Sequence, residues 1–437
     1  MSRYALIYLG VLVCLAYGYA IGRHEVFPHA WIETVRSEIR YLRNDLSDGV
    51  ERFLVPYTPS DASGFAPAAP GRYAFGSTPA IRTGDGAVAG YRALMGSFDF
   101  NPPGHAIVLL DAGNAVRHVW RLQEEVADGG PEVRPDANKF PHGMEILPDG
   151  SVVFAYDGGA SLQRFDVCGT RMWRLPGRFH HSVTLDADRR HVWTLLDAEG
   201  SEPDPSIDVA SRRFLVRVAL DDGEIERRIS LRQIMDANPG IDILGLHQTD
   251  LEERYEWRGD AFHENDIDPL PRELADAFPR FEAGDLLLSM RSLDLVFVLD
   301  PDDLAVKWWR IGQVRRQHDP DWQPDGSITI YDNDMHRGPL RIVRIEPENY
   351  RASVLYEGRR HGAQTWFRGR HQRLPNGNLL ITVPQQGRVL EVAPDGALVF
   401  ELLNRYRPQP GRNLLVSEAR WLPLDYFDFE EFPSCES

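Results

Sequence analysis

Between Tyr4 and Gly22 the chain reads YALIYLGVLVCLAYGYAIG, 19 residues without a charge, about the length an apolar helix needs to cross a hydrocarbon core of roughly 30 Å. Arg3 stands before it, which favours an N-terminus inside and a body outside the cytoplasm; small residues at Ala16 and Gly18 also fit a cleaved signal peptide. Trp31, Val35, Ile39, Leu42, Leu46, Val50 and Phe53 then recur at three- and four-residue steps among charged neighbours, the pattern of an amphipathic helix. A stalk, a homodimer seam and a lid are equally compatible with it. Residues 57–89, rich in Pro, Ala, Gly and Ser, read as a linker. The expected divisions are a transmembrane anchor 1–23, an amphipathic helix 24–56, a linker 57–89 and a body 90–437.

Within the body the period changes to that of short strands. A His opens an apolar strand, a Pro/Asp/Asn/Gly turn follows, and further strands succeed it. The starts are GHAIVLL at Gly104, PHGMEILPDG at Pro141, FHHSVTLDAD at Phe179, FHENDIDPL at Phe262, QHDPDWQPDG at Gln317 and RHQRLPNG at Arg370. Repeats of about 40 to 50 residues built this way indicate propeller blades. Six starts predict an all-β, six-bladed β-propeller preceded by the two helices, with Leu414–Pro423 supplying a last strand that closes the ring and removes an open edge.

Four of the six histidines stand at one distance from their turns: His142, His180, His263 and His318 each precede the turn by five residues. His371 precedes its turn by three. Because the first strand of each blade lines the central channel, residues at one register face a common axis. For any single histidine, a hydrogen bond to a neighbouring turn is the simpler explanation. A ring of imidazoles is different, because burial and mutual repulsion oppose it when the rings are charged.

Charge narrows the chemistry. Sixty-five acidic against 48 basic residues give a formal charge of −17 with no basic run, which argues against a nucleic-acid surface. An anionic substrate then requires a local Arg and His pocket. Of three cysteines, Cys14 lies in the apolar segment, and Cys168 and Cys435 are the one remaining pair, far apart in sequence. No HxxxH or HExxH spacing occurs, so no metal or other cofactor is expected.

Five stretches resemble the bacterial arylsulfotransferases: AIVLLDAGNAVRHVW (106–120), FHHSVTL (179–185), FHENDI (262–267), LLLSMRSLDLVFVLD (286–300) and QHDPDW with ITIYDND and RG (317–338). They occur in the family's order. The resemblance implies sulfuryl transfer from an aryl sulfate to a phenolic or other hydroxyl acceptor. It makes His318 the transiently sulfurylated nucleophile, with His263 and Arg291 binding the transferring group. The fourth family histidine falls on the His180–His181 pair, and spacing favours His180. His181, His142, His371, Asn265 and Asn333 are substrate-binding candidates. Ser182 stands where that family has Asp, and Asp334 replaces the Gly of its DNG, so the substrate-facing rim is expected to differ. No cysteine pair matches the disulfide expected of a periplasmic relative. The rival functions are a non-catalytic binding scaffold and a lyase or hydrolase using the same His/Arg cluster. The chain is expected in the cytoplasmic membrane, single-pass, with its body on the periplasmic side.

Overall fold

The computed structural model describes Tyr8, Gly10, 12–15 and 17–19, then 53–123, 140–198, 209–246 and 261–435. The first group is helical. Among the described residues no helix is long and apolar enough to cross a membrane, so they do not support the expected transmembrane helix. The amphipathic helix lies outside the described residues, apart from its last few positions. By its contacts the chain falls into two units, Met1–Arg52 with Arg134–Asp136, and Phe53–Val133 with Ala137–Ser437. The second holds every described strand.

That unit is an all-β propeller of six antiparallel blades. Blades 2 to 6 begin with the strands Phe140–Ile146, Arg178–Leu185, Glu264–Pro269, His318–Trp322 and His371–Arg373, and each continues outward in sequence order. The turns explain the regularity. In Pro148-Asp149-Gly150 the amide of Leu147 donates to Ser151 at 2.9 Å while Gly150 takes φ +78°, a backbone region that glycine enters without a Cβ clash. Pro324-Asp325-Gly326 and Pro375-Asn376-Gly377 repeat the pattern, with Gly326 at φ +75° and Gly377 at φ +87°. Between turns, alternating Val, Ile, Leu and aromatic residues fill the space between neighbouring blades; Leu287, Val298, Trp308, Ile328 and Ile330 form one such layer between blades 4 and 5.

Blade 1 is assembled from both ends of the body. Its inner strand is Val416–Leu422, followed outward by Tyr91–Phe100, Gly104–Leu110 and Val116–Leu122. The expected closing strand is therefore present. The first repeat, however, does not open a blade: Gly104 begins the third strand outward, because the innermost position is taken by the C-terminal strand. The stretch 57–89, read as a linker, contributes strands of its own. Ala80–Thr83 pairs with Leu398–Leu403 and carries Ala66–Pro67 on the outside of blade 6, while Phe75–Ser77 pairs with the long strand of blade 1.

The insertion after blade 3 begins with the helix Leu231–Ala237. Ser230 caps it, accepting from the amide of Gln233 while Gln233 reaches back in a capping box. Leu231, Ile234, Ile243 and Leu244 are buried in the layer between blades 3 and 4, so this part of the insertion packs the core. His247, Tyr255 and Trp257 lie outside the described residues.

Residues 423–435 fold back as a strap. Tyr426, Phe427 and Phe432 pack on the apolar layer between blades 1 and 2, Phe432 stacks on His118 at 4.7 Å between ring centroids, and Cys435 forms a disulfide with Cys168 of blade 2 across 267 residues of sequence. The cysteine pair that resemblance left unassigned is thus made, and the chain order hid it. Cys435→Ser is expected to lower stability by about 2–5 kcal/mol, read as a shift of the denaturation midpoint; an unchanged midpoint would mean that the strap is held by its aromatic contacts alone.

Candidate active site

All six blades contribute to one polar cleft at the channel. It is lined by His142, His181, Asn265, Asp266, His318, Asp319, Gly369, Arg370 and Glu418. Consecutive residues appear together here, Asn265 with Asp266 and His318 with Asp319, which a regular strand forbids. The inner strands achieve it by losing register at this level: pairing skips between Pro141 and Met144, His180 and Val183, Glu264 and Asp266, His318 and Pro320, and Val416 and Glu418. Such bulges re-aim side chains.

His318 is 3% exposed. Asn333 fixes its tautomer: the Asn333 amide nitrogen donates to the carbonyls of Arg368 (2.8 Å) and Thr365 (3.3 Å), which leaves its oxygen to accept from Nδ1 of His318 at 2.7 Å. Nε2 therefore carries the lone pair and accepts the Arg368 amide at 3.1 Å. Burial first, then the repulsion of Arg291, His142 and His263 against Asn333's opposing hydrogen bond, holds the His318 pKa well below the usual histidine range. The ring stays neutral.

Beside it runs a chain of touching imidazoles. His142 and His181 lie 4.8 Å apart by centroid, His181 and His263 5.0 Å, and His180 and His181 4.9 Å. The bulge separates the adjacent pair: His181, at φ +62°, lines the cleft, whereas His180 sits behind it with Nε2 3.2 Å from Asp197 and Nδ1 2.8 Å from Nδ1 of His181. Spacing favoured His180, but the cleft-lining ring is His181. Burial opposes charge on His180, yet Asp197 and Glu264 outweigh it and raise its pKa. Burial, with His142, His180 and His263, drives His181 well below the usual value.

Arg291 follows the second strand of blade 4, and its amide donates to the carbonyl of His263 at 3.0 Å. Asn265 lines the cleft while its Nδ2 donates to the carbonyl of Gln317 at 2.7 Å. His371 stands apart. Its Nδ1 lies 2.8 Å from Asp319 and its Nε2 2.8 Å from Thr329, so both ring nitrogens are engaged within the walls.

Several residues here carried no sequence signal. Asp157, ending the second strand of blade 2, lies 2.9 Å from Nδ1 of His142, 3.5 Å from Nδ1 of His181 and 2.9 Å from Nη2 of Arg368. Burial raises its pKa, but these three neighbours outweigh that and leave it well below the usual range. Elsewhere in the same cleft and its walls, Asp266, Asp268, Asp319 and Asp321 gather around Arg370, which also meets Glu418 at 3.3 Å. Burial and the charge of Asp319, partly offset by Arg370 and by a 2.6 Å hydrogen bond from Ser182, push Asp266 up to about 7. Asp319, Asp321 and His371 have the composition of a metal-ligand set, yet Arg370 and Thr329 occupy the donors on either side.

A family model described as arylsulfotransferase (ASST) matches residues 143–405, more than half of the chain. The protein belongs to that family. Among solved structures it is similar to a protein of unknown function from Bacteroides caccae (12% identity, TM-score 0.48, covering 76% of this chain and 98% of that one). It is also similar to TolB from Acinetobacter baumannii (10%, 0.46, 76% and 67%) and to virginiamycin B lyase from Staphylococcus aureus (12%, 0.36, 62% and 71%). No curated protein matches it.

The cleft makes stability depend on pH in a definite direction. A carboxyl whose folded pKa is raised favours the fold at low pH, and that contribution is lost as pH rises through the folded value. For Asp266 the loss begins near the ordinary carboxyl value and is complete by about pH 7, and Asp268 and Asp321, also raised, add to it. Denaturant melts from pH 4 to 8.5 are expected to show stability falling between about pH 4 and 7, with a slope there that is shallower in Asp266→Asn; equal slopes would show that Asp266 is ionised throughout.

Proposed function

We propose that this chain is an aryl sulfate sulfotransferase that passes the sulfuryl group through Nε2 of His318 to a phenolic or other hydroxyl acceptor. One observation carries the reading: a buried, neutral imidazole has its proton fixed on Nδ1 by Asn333 and its lone pair on Nε2, within the electrostatic reach of Arg291. A neutral nitrogen attacks, and a cation beside it suits the charge that spreads over the transferring oxygens.

In the first half-reaction the Nε2 lone pair bonds sulfur while the sulfur–oxygen bond to the aryl group breaks, its electron pair leaving on the phenolate. The sulfurylated ring keeps Nδ1–H on Asn333. When His180 is protonated it donates to Asp197 and to Nδ1 of His181, which places the His181 proton on Nε2 in the cleft. As that proton passes to the phenolate, Nδ1 of His181 takes the proton of His180, so no imidazolate forms and His180 is left neutral beside Asp197. In the second half-reaction an acceptor hydroxyl gives its proton to the same relay, its oxygen bonds sulfur, and the nitrogen–sulfur bond breaks. Arg291 and His263 bind the oxygens throughout. No metal or organic cofactor enters these steps.

The body lies outside the cytoplasm in this reading, tethered by the uncharged Tyr4–Gly22 run. The Cys168–Cys435 disulfide supports the compartment, since structural disulfides persist where the medium is oxidising. The full chain is expected to stay with membranes after alkaline carbonate washing; release into the wash would count against the tether.

Incubating the protein with 4-nitrophenyl sulfate and phenol tests the chemistry. A mass gain of one sulfuryl group on the His318 peptide, absent in His318→Ala, is expected, with loss of at least about 10³ in turnover for a lost nucleophile. Release of 4-nitrophenol without adduct or sulfated acceptor would indicate a hydrolase, and no reaction a binding scaffold.

A further inference from the structure

Arg368 precedes the inner strand of blade 6 and holds a left-handed backbone, φ +57°. It is 5% exposed, and its contacts reach blades 5 and 2. The amide donates to Nε2 of His318 in blade 5 at 3.1 Å. Nη2 donates to Asp157 of blade 2 at 2.9 Å, and the guanidinium lies 4.7 Å from the centroid of the Phe140 ring on that blade. Nη1 is buried with no hydrogen-bond acceptor, a costly state for a charged donor unless an anion visits it.

Neither the repeat nor the family resemblance pointed to this residue. We propose that Arg368 is a second sulfuryl-binding residue beside Arg291, an inference that rests on the transferase reading. At rest its amide holds the lone pair of His318. Sulfur can bond Nε2 only once that amide has moved off the lone pair, which breaks the 3.1 Å hydrogen bond; Nη1, buried without an acceptor, is the donor offered to the sulfuryl oxygens. Arg368 gives hydrogen bonds only. The nitrogen–sulfur bond forms with the Nε2 pair, the sulfur–oxygen pair leaves with the phenolate, and no proton moves through the guanidinium. Asp157 keeps the side chain extended toward the imidazoles it also holds, so the anion meets a fork already in place.

The test uses the full chain with 4-nitrophenyl sulfate as donor and phenol as acceptor. Arg368→Ala is expected to raise KM for the sulfate donor by about 10-fold or more, as loss of a hydrogen bond to a charged group implies, and to slow adduct formation on His318. KM for phenol should stay within about two-fold, and Arg368→Lys should recover part of the loss. A folded Arg368→Ala protein with wild-type donor KM and adduct rate would overturn the proposal, as would equal losses for both substrates. Should Arg368→Ala fail to fold, Arg368→Lys keeps a charge over Phe140 and carries the same comparison: a rise confined to the donor supports the assignment, and unchanged constants overturn it. If the wild-type protein gains no adduct at all, the transferase reading fails and this proposal with it.

Discussion

The loss of register on the inner strands is the constraint on which the site depends. A flat strand sends alternate side chains to opposite faces, so it could offer the channel His318 or Asp319 but not both. The bulges at five inner strands break that alternation at one level around the ring. The backbone is strained in return, with His181, His263 and Asp319 at positive φ, a region costly for residues with a Cβ. Blade 6 reaches the same level differently. Arg368 and Gly369 are both left-handed ahead of the strand, and Gly369, at φ +128°, runs so close to Tyr331 that a Cβ would lie 2.4 Å from its ring. Only glycine fits there.

The level so created separates charge. Toward the imidazoles the fixed cations are Arg291 and Arg368, answered by Asp157, which stays ionised because two histidines and a guanidinium surround it. Around Arg370 the composition differs: Asp266, Asp268, Asp319 and Asp321 share that one cation, and three of the four have raised pKa values. A raised pKa keeps a carboxyl protonated over a wider pH range, so these three repel an anion beside His318 less than their number implies.

The turns and the His-led strands were legible because each is a local signal: Pro-Asp-Gly sets a hairpin, and a fixed distance from it sets register. What depended on distant partners was not. Ala80–Thr83 is only four residues long in a Pro- and Gly-rich stretch and becomes a strand because Leu398–Leu403 offers an edge. Gly104 looked like a blade start because nothing near it reveals that Val416–Leu422 fills the inner place. His180 and His181 exchanged places because a bulge is invisible to counting. Asp157 and Arg368 ended outside the repeat pattern altogether, one at the far end of a second strand and one before a first, and only the closed ring brings them to His318.

Closure also explains why the C-terminus matters to chemistry. Glu418 arrives on the last strand, accepts the amide of Gly143 in blade 2 at 2.6 Å and meets Arg370 of blade 6 at 3.3 Å. It thus bridges the blades on either side of the seam. Gly143 sits within the bulge that carries His142, and Arg370 immediately follows the Arg368–Gly369 bend. A strand that slipped by one residue would turn Glu418 to the opposite face, freeing both the bulge and the bend. The aromatic strap and the Cys168–Cys435 link oppose that slip by fastening the chain just beyond the strand. The geometry around His318 is therefore set by contacts at the seam as much as by the residues that touch the ring.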